Sequence, residues 1–259
     1  MNKLGVWGLV VLLAGCAAVP VVKQIHSNPD ALWQVNNNRC HVAADAGQGD
    51  CIQVSPQPDK QSVVLKDRHG RSQYLLLPLQ KITGIEDPQV LAVDAPNYFA
   101  QAWLARTYSE QALGQPLPRR YTSLAANSPH GRSQEQLHIH IDCVRADVAE
   151  ALQQWQGTIG LTFAPLPGEL RGHRYLARYV PGTELPVNPF QLLAQILPPG
   201  DVMADYSMAV VGVEDARGPG FDLLATRYDL LDANFASAEE LQDHACGVIT
   251  GEQALDGVR

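Results

Sequence analysis

The stretch QLHIHIDC, residues 136–143, alternates polar and apolar side chains and predicts a β-strand. Successive side chains of a strand point to opposite faces, so its apolar residues should face the core. The polar residues then share the other face, namely Gln136, His138, His140 and Asp142. The strand therefore carries two imidazoles side by side on a rigid backbone.

Two histidines at alternate strand positions have three interpretations. They are a solvated pair on an exposed face, or they bind zinc, or one attacks phosphorus while the other contacts the phosphate. A zinc site needs a third ligand, and the available candidates are Asp142, His173 and His244. The His-x-His spacing alone does not decide among these interpretations.

A polar turn precedes the histidine strand. It contains Asn127, Gly131, Arg132 and Ser133. Such a turn offers an anion backbone N–H groups, an amide, a hydroxyl and a guanidinium. A strand, an asparagine, a Gly-Arg-Ser turn and alternating histidines together resemble the histidine triad superfamily of nucleotide hydrolases and transferases. In that superfamily the middle histidine becomes nucleotidylated.

The rest of the chain mixes hairpins with helices. Strands are predicted at residues 62–66, 72–79, 121–126, 134–144 and 171–180, with a second hairpin at 206–214 and 221–227. Helices are predicted at residues 96–113, 145–156 and 189–197, and from Ser237, where Glu240 completes a capping box. Because there are hairpins and no βαβ repeat, we predict an antiparallel α+β fold.

Length and charge limit the classes of function. With 259 residues, of which 46% are hydrophobic and 18% charged, the chain is long enough for one large domain or two small ones and is not a disordered tail. Its net charge of -8 argues against a general nucleic-acid binder. The acidity is uneven, because residues 179–259 hold 13 acidic and 3 basic side chains. An anion should therefore bind to the preceding part of the chain.

The N-terminus predicts a membrane anchor. Lys3 precedes an uncharged run over residues 4–22 that contains LAGC at residues 13–16. This pattern is typical of a lipoprotein signal, in which Cys16 is acylated and becomes the new N-terminus. The alternative is an uncleaved anchor, which this run is just long enough to form. Both interpretations place the chain on a membrane, facing the periplasm.

The four remaining cysteines fit an oxidising compartment, and they are Cys40, Cys51, Cys143 and Cys246. They allow three pairings, one of which closes a local loop between Cys40 and Cys51. No two of them have the spacing of a zinc site. We predict three segments, which are an anchor over residues 1–22, a linker with a small disulfide loop over 23–60, and a catalytic domain with a C-terminal extension over 61–248.

Several short segments carry a more specific resemblance. They include VVLKD at residues 63–67, LRGH at 170–173, YLAR at 175–178 and ASAEE at 236–240. With the histidine strand, they resemble the bacterial CDP-diacylglycerol pyrophosphatase family, and the resemblance extends over roughly residues 33 to 247. One position departs from the family pattern, because Gln136 stands where the first histidine is expected. Glutamine still forms hydrogen bonds but cannot carry a proton charge.

The resemblance implies a histidine-triad-like sheet with flanking helices. It also implies hydrolysis of the lipid nucleotide CDP-diacylglycerol to CMP and phosphatidate, in phospholipid metabolism, without a metal or other cofactor. His138 is the expected nucleophile and His140 the expected phosphate contact. The further candidates for substrate binding are Asn127, Arg132, Ser133, Gln136, Lys66, Arg171 and His173. For Lys66, and for the basic stretch around Arg171 and His173, a solvated surface is an equal alternative.

Two other functions stay open at this point. One is a non-catalytic periplasmic lipoprotein or binding module, to which only Gln136 points. The other is a zinc-dependent hydrolase that uses His138 and His140. The family resemblance favours the inner membrane, where the substrate is made, whereas Ala17 after Cys16 favours the outer membrane.

Overall fold

The computed structural model describes residues 28–40 and 51–254. The strands of these ranges form one antiparallel sheet in the order β1-β2-β3-β5-β4-β8-β9-β7-β6. The nine strands are β1 (Cys51–Ser55), β2 (Ser62–Lys66), β3 (Tyr74–Pro78), β4 (Thr122–Ala126), β5 (Ile139–Cys143), β6 (Ala164–Pro165), β7 (Leu176–Pro181), β8 (Tyr206–Asp215) and β9 (Gly218–Arg227). The predicted antiparallel α+β fold is confirmed.

The helices connect the strands and pack on both faces of the sheet. Their bounds are α1 (Ala31–Val35), α2 (Tyr98–Ala105), α3 (Thr107–Leu113), α4 (Ala146–Gln154), α5 (Pro189–Ala194) and α6 (Gly247–Thr250). The single helix predicted at residues 96–113 is two helices that meet at Arg106. There the backbone N–H of Arg106 bonds to the carbonyl of Trp103, three residues back, and its guanidinium donates to the same oxygen at 2.6 Å.

One face of the sheet packs against α2 and α5. Trp103 of α2 lies fully buried against Phe221 of β9, with ring centroids 4.8 Å apart. Ile139 and Ile141 belong to the same apolar cluster, as the alternation of residues 136–143 predicts. The apolar side of the histidine strand is thus part of the main core.

The opposite face carries two separate apolar clusters. One lies over β2 and β3 and includes Leu75, Leu77 and the Cys40–Cys51 disulfide. The other lies beneath α4 and includes Val148 and Leu152. The polar side of β5 occupies the interval between them, because β5 stands between β3 and β4. Residues 237–246, here called the covering segment, lie over this interval. His138 and His140 are therefore buried, and the interpretation of a solvated pair on an exposed face is wrong.

Two details of the sequence prediction are wrong. The strand predicted over residues 134–144 begins at Ile139, because the N–H of Leu137 donates to the carbonyl of Ile82 outside the ladder. Ser237 makes no side-chain cap, and a short 3-10 helix, Ala238–Leu241, replaces the last predicted helix. The stretch over residues 23–60 that was predicted as a linker includes α1 and β1, and β1 pairs with β2.

Of the three possible cysteine pairings, the structure contains the one that closes the local loop. Cys40 is joined to Cys51, and Cys143 at the end of β5 is joined to Cys246. The second bridge ties the covering segment to the histidine strand across a sequence separation of 103 residues.

Replacing Cys143 and Cys246 together with alanine should lower the free energy of unfolding by about 2–4 kcal/mol, because the unfolded chain regains the freedom of a long loop. Urea denaturation of the oxidised proteins measures the difference. A change below about 0.5 kcal/mol would show that the bridge does not constrain the fold.

Within residues 28–40 and 51–254, no helix combines the length and the apolar character that a membrane crossing requires. The predicted signal and its Cys16 lie outside the described residues.

Candidate active site

His138 lies immediately before β5, and its side chain is 8% exposed. Its Nδ1 stands 2.7 Å from the backbone carbonyl oxygen of Gln136. A carbonyl only accepts hydrogen bonds, so Nδ1 carries the proton and Nε2 keeps its lone pair. Burial, and then the neighbouring His140, lower the pKa of His138 to about 4. The imidazole is therefore neutral at physiological pH and has a free nucleophilic nitrogen.

His140 is the second residue of β5 and lies opposite Leu75 on β3 and Ala125 on β4. Its ring centroid lies 4.8 Å from that of His138. Nδ1 of His140 stands 2.9 Å from the side-chain Nε2 of Gln73. Nε2 of His140 is buried and contacts no hydrogen-bond partner among the described residues. The hydrogen-bonding capacity of this atom is thus not used by the described residues.

Glu239, from the covering segment, is the carboxylate of the site. Its Oε1 lies 3.3 Å from Nδ1 of His140 and 3.3 Å from Nε2 of Gln73. Its Oε2 accepts a hydrogen bond from the side chain of Asn127 at 3.2 Å. Burial raises the pKa of a carboxyl, but His140 and His244 outweigh it and hold the pKa of Glu239 well below its ordinary value. Glu239 is therefore ionised.

His244 lies between two carboxylates. Its Nδ1 stands 2.7 Å from Oδ2 of Asp142, and its Nε2 stands 3.3 Å from Oε1 of Glu239. Burial lowers the pKa of an imidazole, but the hydrogen bonds to Asp142 and Glu239 prevail and raise the pKa of His244 to about 10. The site thus contains a buried imidazolium that balances charge next to the two histidines of the strand.

Backbone contacts fix the covering segment on the sheet. Gln242 donates to the carbonyls of Ser123 on β4, at 3.0 Å, and of His140 on β5, at 3.2 Å. Gly70 lies directly under this segment, because a Cβ at that position would stand 2.8 Å from the carbonyl of His244. The turn before β5 is equally close, since a Cβ at Gly131 would stand 2.9 Å from the carbonyl of Ala236. Both glycines therefore permit close approach.

The predicted substrate-binding residues nearest the histidines are already engaged in protein contacts. Asn127 accepts a hydrogen bond from the N–H of Glu239 at 3.1 Å, so it orients that residue. The side-chain amide of Gln136 donates to the carbonyls of Pro78 and Gln80 at 3.1 and 3.0 Å. Gln136, which stands where the first histidine of the family pattern is expected, thus anchors the end of β3. Ser133 lies exposed in the preceding turn.

Arg132 forms a buried ion-pair cluster. Its guanidinium donates to both carboxylate oxygens of Glu86, at 2.8 and 2.5 Å, and to Glu135 at 2.9 Å. Two carboxylates thus neutralise the one cation that the turn was expected to offer to an anion. Burial lowers the pKa of Arg132, but its bonds to Glu86 and Glu135 outweigh this and raise it.

The remaining candidates contact other parts of the protein. Lys66 donates to the carbonyls of Asp67 and Gly70, at 2.8 and 3.0 Å. Arg171 lies 3.2 Å from Asp147 of α4. His173 bonds to Glu240 at 2.9 Å, and Glu240 follows Glu239 in the chain. Among the described contacts, none of these three side chains touches His138 or His140.

The described ranges contain no group of three histidine, cysteine, aspartate or glutamate residues placed to hold a metal ion. The third ligands considered for zinc have other partners. Asp142 bonds to His244, and His173 bonds to Glu240.

Sequence reasoning did not select Gln73 or Glu239, and it considered His244 only as a possible zinc ligand. Gln73 lies 67 residues before His140, and Glu239 comes from a segment that was expected to be a helix. One signal was the family-like segment ASAEE, residues 236–240, which contains Glu239.

Comparison with known proteins assigns the chain to a family. The family model described as CDP-diacylglycerol pyrophosphatase matches residues 27–250. A curated protein of Yersinia pestis named CDP-diacylglycerol pyrophosphatase is 40% identical over 245 residues, which cover 93% of this chain and 92% of the relative. The matched region contains the whole of the site built on His138, His140 and Glu239. The chain therefore belongs to the CDP-diacylglycerol pyrophosphatase family of hydrolases.

Proposed function

We propose that this protein hydrolyses the diphosphate of CDP-diacylglycerol to CMP and phosphatidate through a covalent nucleotidyl intermediate on His138, within a histidine-triad-like site. The family and the name of the Yersinia pestis relative support the substrate. The hydrogen bond from Nδ1 of His138 to the carbonyl of Gln136 carries the mechanism, because it leaves Nε2 with a free lone pair. The reaction belongs to phospholipid metabolism.

In the first step, Nε2 of His138 attacks the phosphorus of the cytidylyl group. A nitrogen–phosphorus bond forms, and the bond between that phosphorus and the bridging oxygen breaks. The bridging oxygen takes the electron pair and leaves with phosphatidate. Nε2 of His140 donates a hydrogen bond to a phosphate oxygen and so stabilises the charge that develops there.

In the second step, water attacks the same phosphorus. The nitrogen–phosphorus bond breaks, its electron pair returns to Nε2 of His138, and CMP departs. The proton of the attacking water passes to solvent. Covalent catalysis of this kind replaces one difficult displacement by two easier ones.

The low pKa of His138 predicts an unusual pH profile. A nucleophilic histidine with an ordinary pKa loses activity below about pH 6.5. Because burial and His140 lower the pKa of His138 to about 4, kcat/KM should stay level from pH 7 down to about 5 and fall only near 4. The measurement is kcat/KM at constant ionic strength, with a far-UV circular dichroism control for folding. An acid limb near 6.5 would contradict the assignment.

An assay with purified protein and CDP-diacylglycerol in detergent, with and without a chelator, separates the candidate functions. CMP release that the chelator does not change is the expected result. Loss of release with chelator, restored by Zn²⁺, would instead support a zinc hydrolase. The absence of release in both samples would support a non-catalytic lipoprotein.

The same proposal includes membrane anchoring on the periplasmic side through acylated Cys16. The two disulfides support it, because such bonds persist in oxidising compartments. Mass spectrometry of the purified protein should find an acylated Cys16 as the N-terminal residue if the segment is a lipoprotein signal. A chain that keeps residues 1–15 would favour the uncleaved anchor.

A further inference from the structure

The two imidazoles of the site face hydrogen-bond partners of opposite kind. Nδ1 of His138 meets a carbonyl oxygen, which only accepts, so the proton is on Nδ1. Nδ1 of His140 meets the side-chain amide nitrogen of Gln73 at 2.9 Å, which is closer than Oε1 of Glu239 at 3.3 Å, and an amide nitrogen only donates. The proton of neutral His140 is therefore on Nε2. Adjacent histidines on one strand thus have opposite tautomers.

Glu239 sets the orientation of the Gln73 amide. Its Oε1 lies 3.3 Å from the amide nitrogen of Gln73, and a carboxylate accepts hydrogen bonds without donating any. The amide group that faces both Glu239 and His140 must then be the NH2 and not the oxygen. Gln73 is 1% exposed, so bulk water does not compete for these bonds.

The ionised state of Glu239 is itself maintained by its neighbours. The His244 imidazolium lies at 3.3 Å and the amide of Asn127 at 3.2 Å, and both favour the negative charge. Asp142 holds the other side of His244 at 2.7 Å. The orientation of Gln73 therefore depends on a series of buried polar contacts. Glu239 and His244 of the covering segment contribute two of the side chains.

We propose that Gln73, oriented by Glu239, is a positioning residue that keeps the proton of His140 on Nε2, where it faces the substrate phosphate. The role in turnover rests on the proposed function. One histidine then presents a lone pair to phosphorus, while the other presents an N–H to a phosphate oxygen. The buried, unpartnered Nε2 of His140 is the atom through which Gln73 acts.

The wild-type protein allows a direct test. Long-range nitrogen–proton correlation spectra of the full chain labelled with ¹⁵N distinguish the two tautomers of each neutral histidine. We expect the Nδ1–H form for His138 and the Nε2–H form for His140 near pH 7. A proton on Nδ1 of His140, alone or together with one on Nε2, would overturn the proposal. This result does not depend on activity, so it is separate from a failure of the proposed function.

A Gln73→Met variant tests the cause. Methionine has a similar length but no donor, so Oε1 of Glu239, at 3.3 Å, becomes the polar neighbour of Nδ1 of His140. The proton of His140 should move to Nδ1, and kcat should fall about 10²–10³-fold through loss of one donor to the developing charge. The exposed Gln89, changed to methionine, is the matched control and should retain wild-type kcat and tautomers.

The spectra of a folded Gln73→Met protein decide the role of Gln73. An unchanged Nε2–H signal for His140 would show that Gln73 does not set the tautomer. A reversed tautomer with wild-type kcat would show that the position of the proton does not matter for turnover. If Gln73→Met does not fold, Gln73→Leu replaces it, and the tautomer of His140 in that variant is compared with the tautomer in the wild-type protein.

Discussion

His138→Ala should lose CMP release by at least about 10⁴-fold, because no other group at the site has a free lone pair positioned to attack phosphorus. Gln136 occupies the position before it with its amide bound to two carbonyls, and Nε2 of His140 carries a proton. The variant should remain folded, since alanine is small and the main core lies on the other face of β5. Steady-state CMP release with CDP-diacylglycerol in detergent measures the loss.

His69→Ala is the matched control for this variant. His69 lies in the turn between β2 and β3, and its side chain is 62% exposed. It should release CMP at the wild-type rate. Activity of His138→Ala within tenfold of the wild type, with a normal melting temperature, would exclude His138 as the nucleophile.

His244→Leu should lower the free energy of unfolding by about 3–5 kcal/mol, because it leaves the carboxylates of Asp142 and Glu239 buried without their shared cation. Urea denaturation at pH 6.5 measures the difference. His69→Leu is the control, since the His69 side chain is 62% exposed, and it should change the unfolding free energy by no more than about 0.5 kcal/mol. A loss below about 1 kcal/mol for His244→Leu would contradict the charge arrangement.

The contacts of His244 with Asp142 and Glu239 also predict how the free energy of unfolding depends on pH. The pKa of His244 is raised to about 10 in the folded protein, whereas the unfolded value is about 6.5. The folded state therefore holds an additional proton between these values, and stability decreases as the pH rises through them. The contribution of His244 should be complete below about pH 6.5 and absent above about 10. An advantage over His244→Leu that grows with pH would contradict this sign.

Local patterns predicted those parts of the fold that depend on neighbouring residues. The alternation of residues 136–143 placed Ile139 and Ile141 in the core and the two histidines together on the other face. The hairpin of β8 and β9 was equally predictable from two clear strands. An even number of cysteines and the predicted compartment indicated disulfides, but the structure was needed to decide among the three pairings.

Contacts between distant segments could not be predicted in this way. From the sequence, Arg132 was expected to be a cation available to the substrate phosphates. In the structure Glu86, which is 46 residues away in the chain, neutralises it. Gln73 contacts His140 from the position before β3, and Glu239 contacts it from the covering segment. No sequence periodicity predicts contacts between segments so far apart. The sequence left a solvated histidine pair open as one interpretation. The alternation of residues 136–143 does not predict which segment covers the strand.

The proposed hydrolysis requires covalent nucleotidylation of His138. Rapid mixing of the protein with CDP-diacylglycerol, an alkaline quench that preserves the nitrogen–phosphorus bond, and mass spectrometry of the peptides detect this intermediate. We predict a cytidylyl adduct on His138 that forms within one turnover and is absent from His138→Ala. CMP release without any adduct on His138, or with the adduct on His140, would contradict the account.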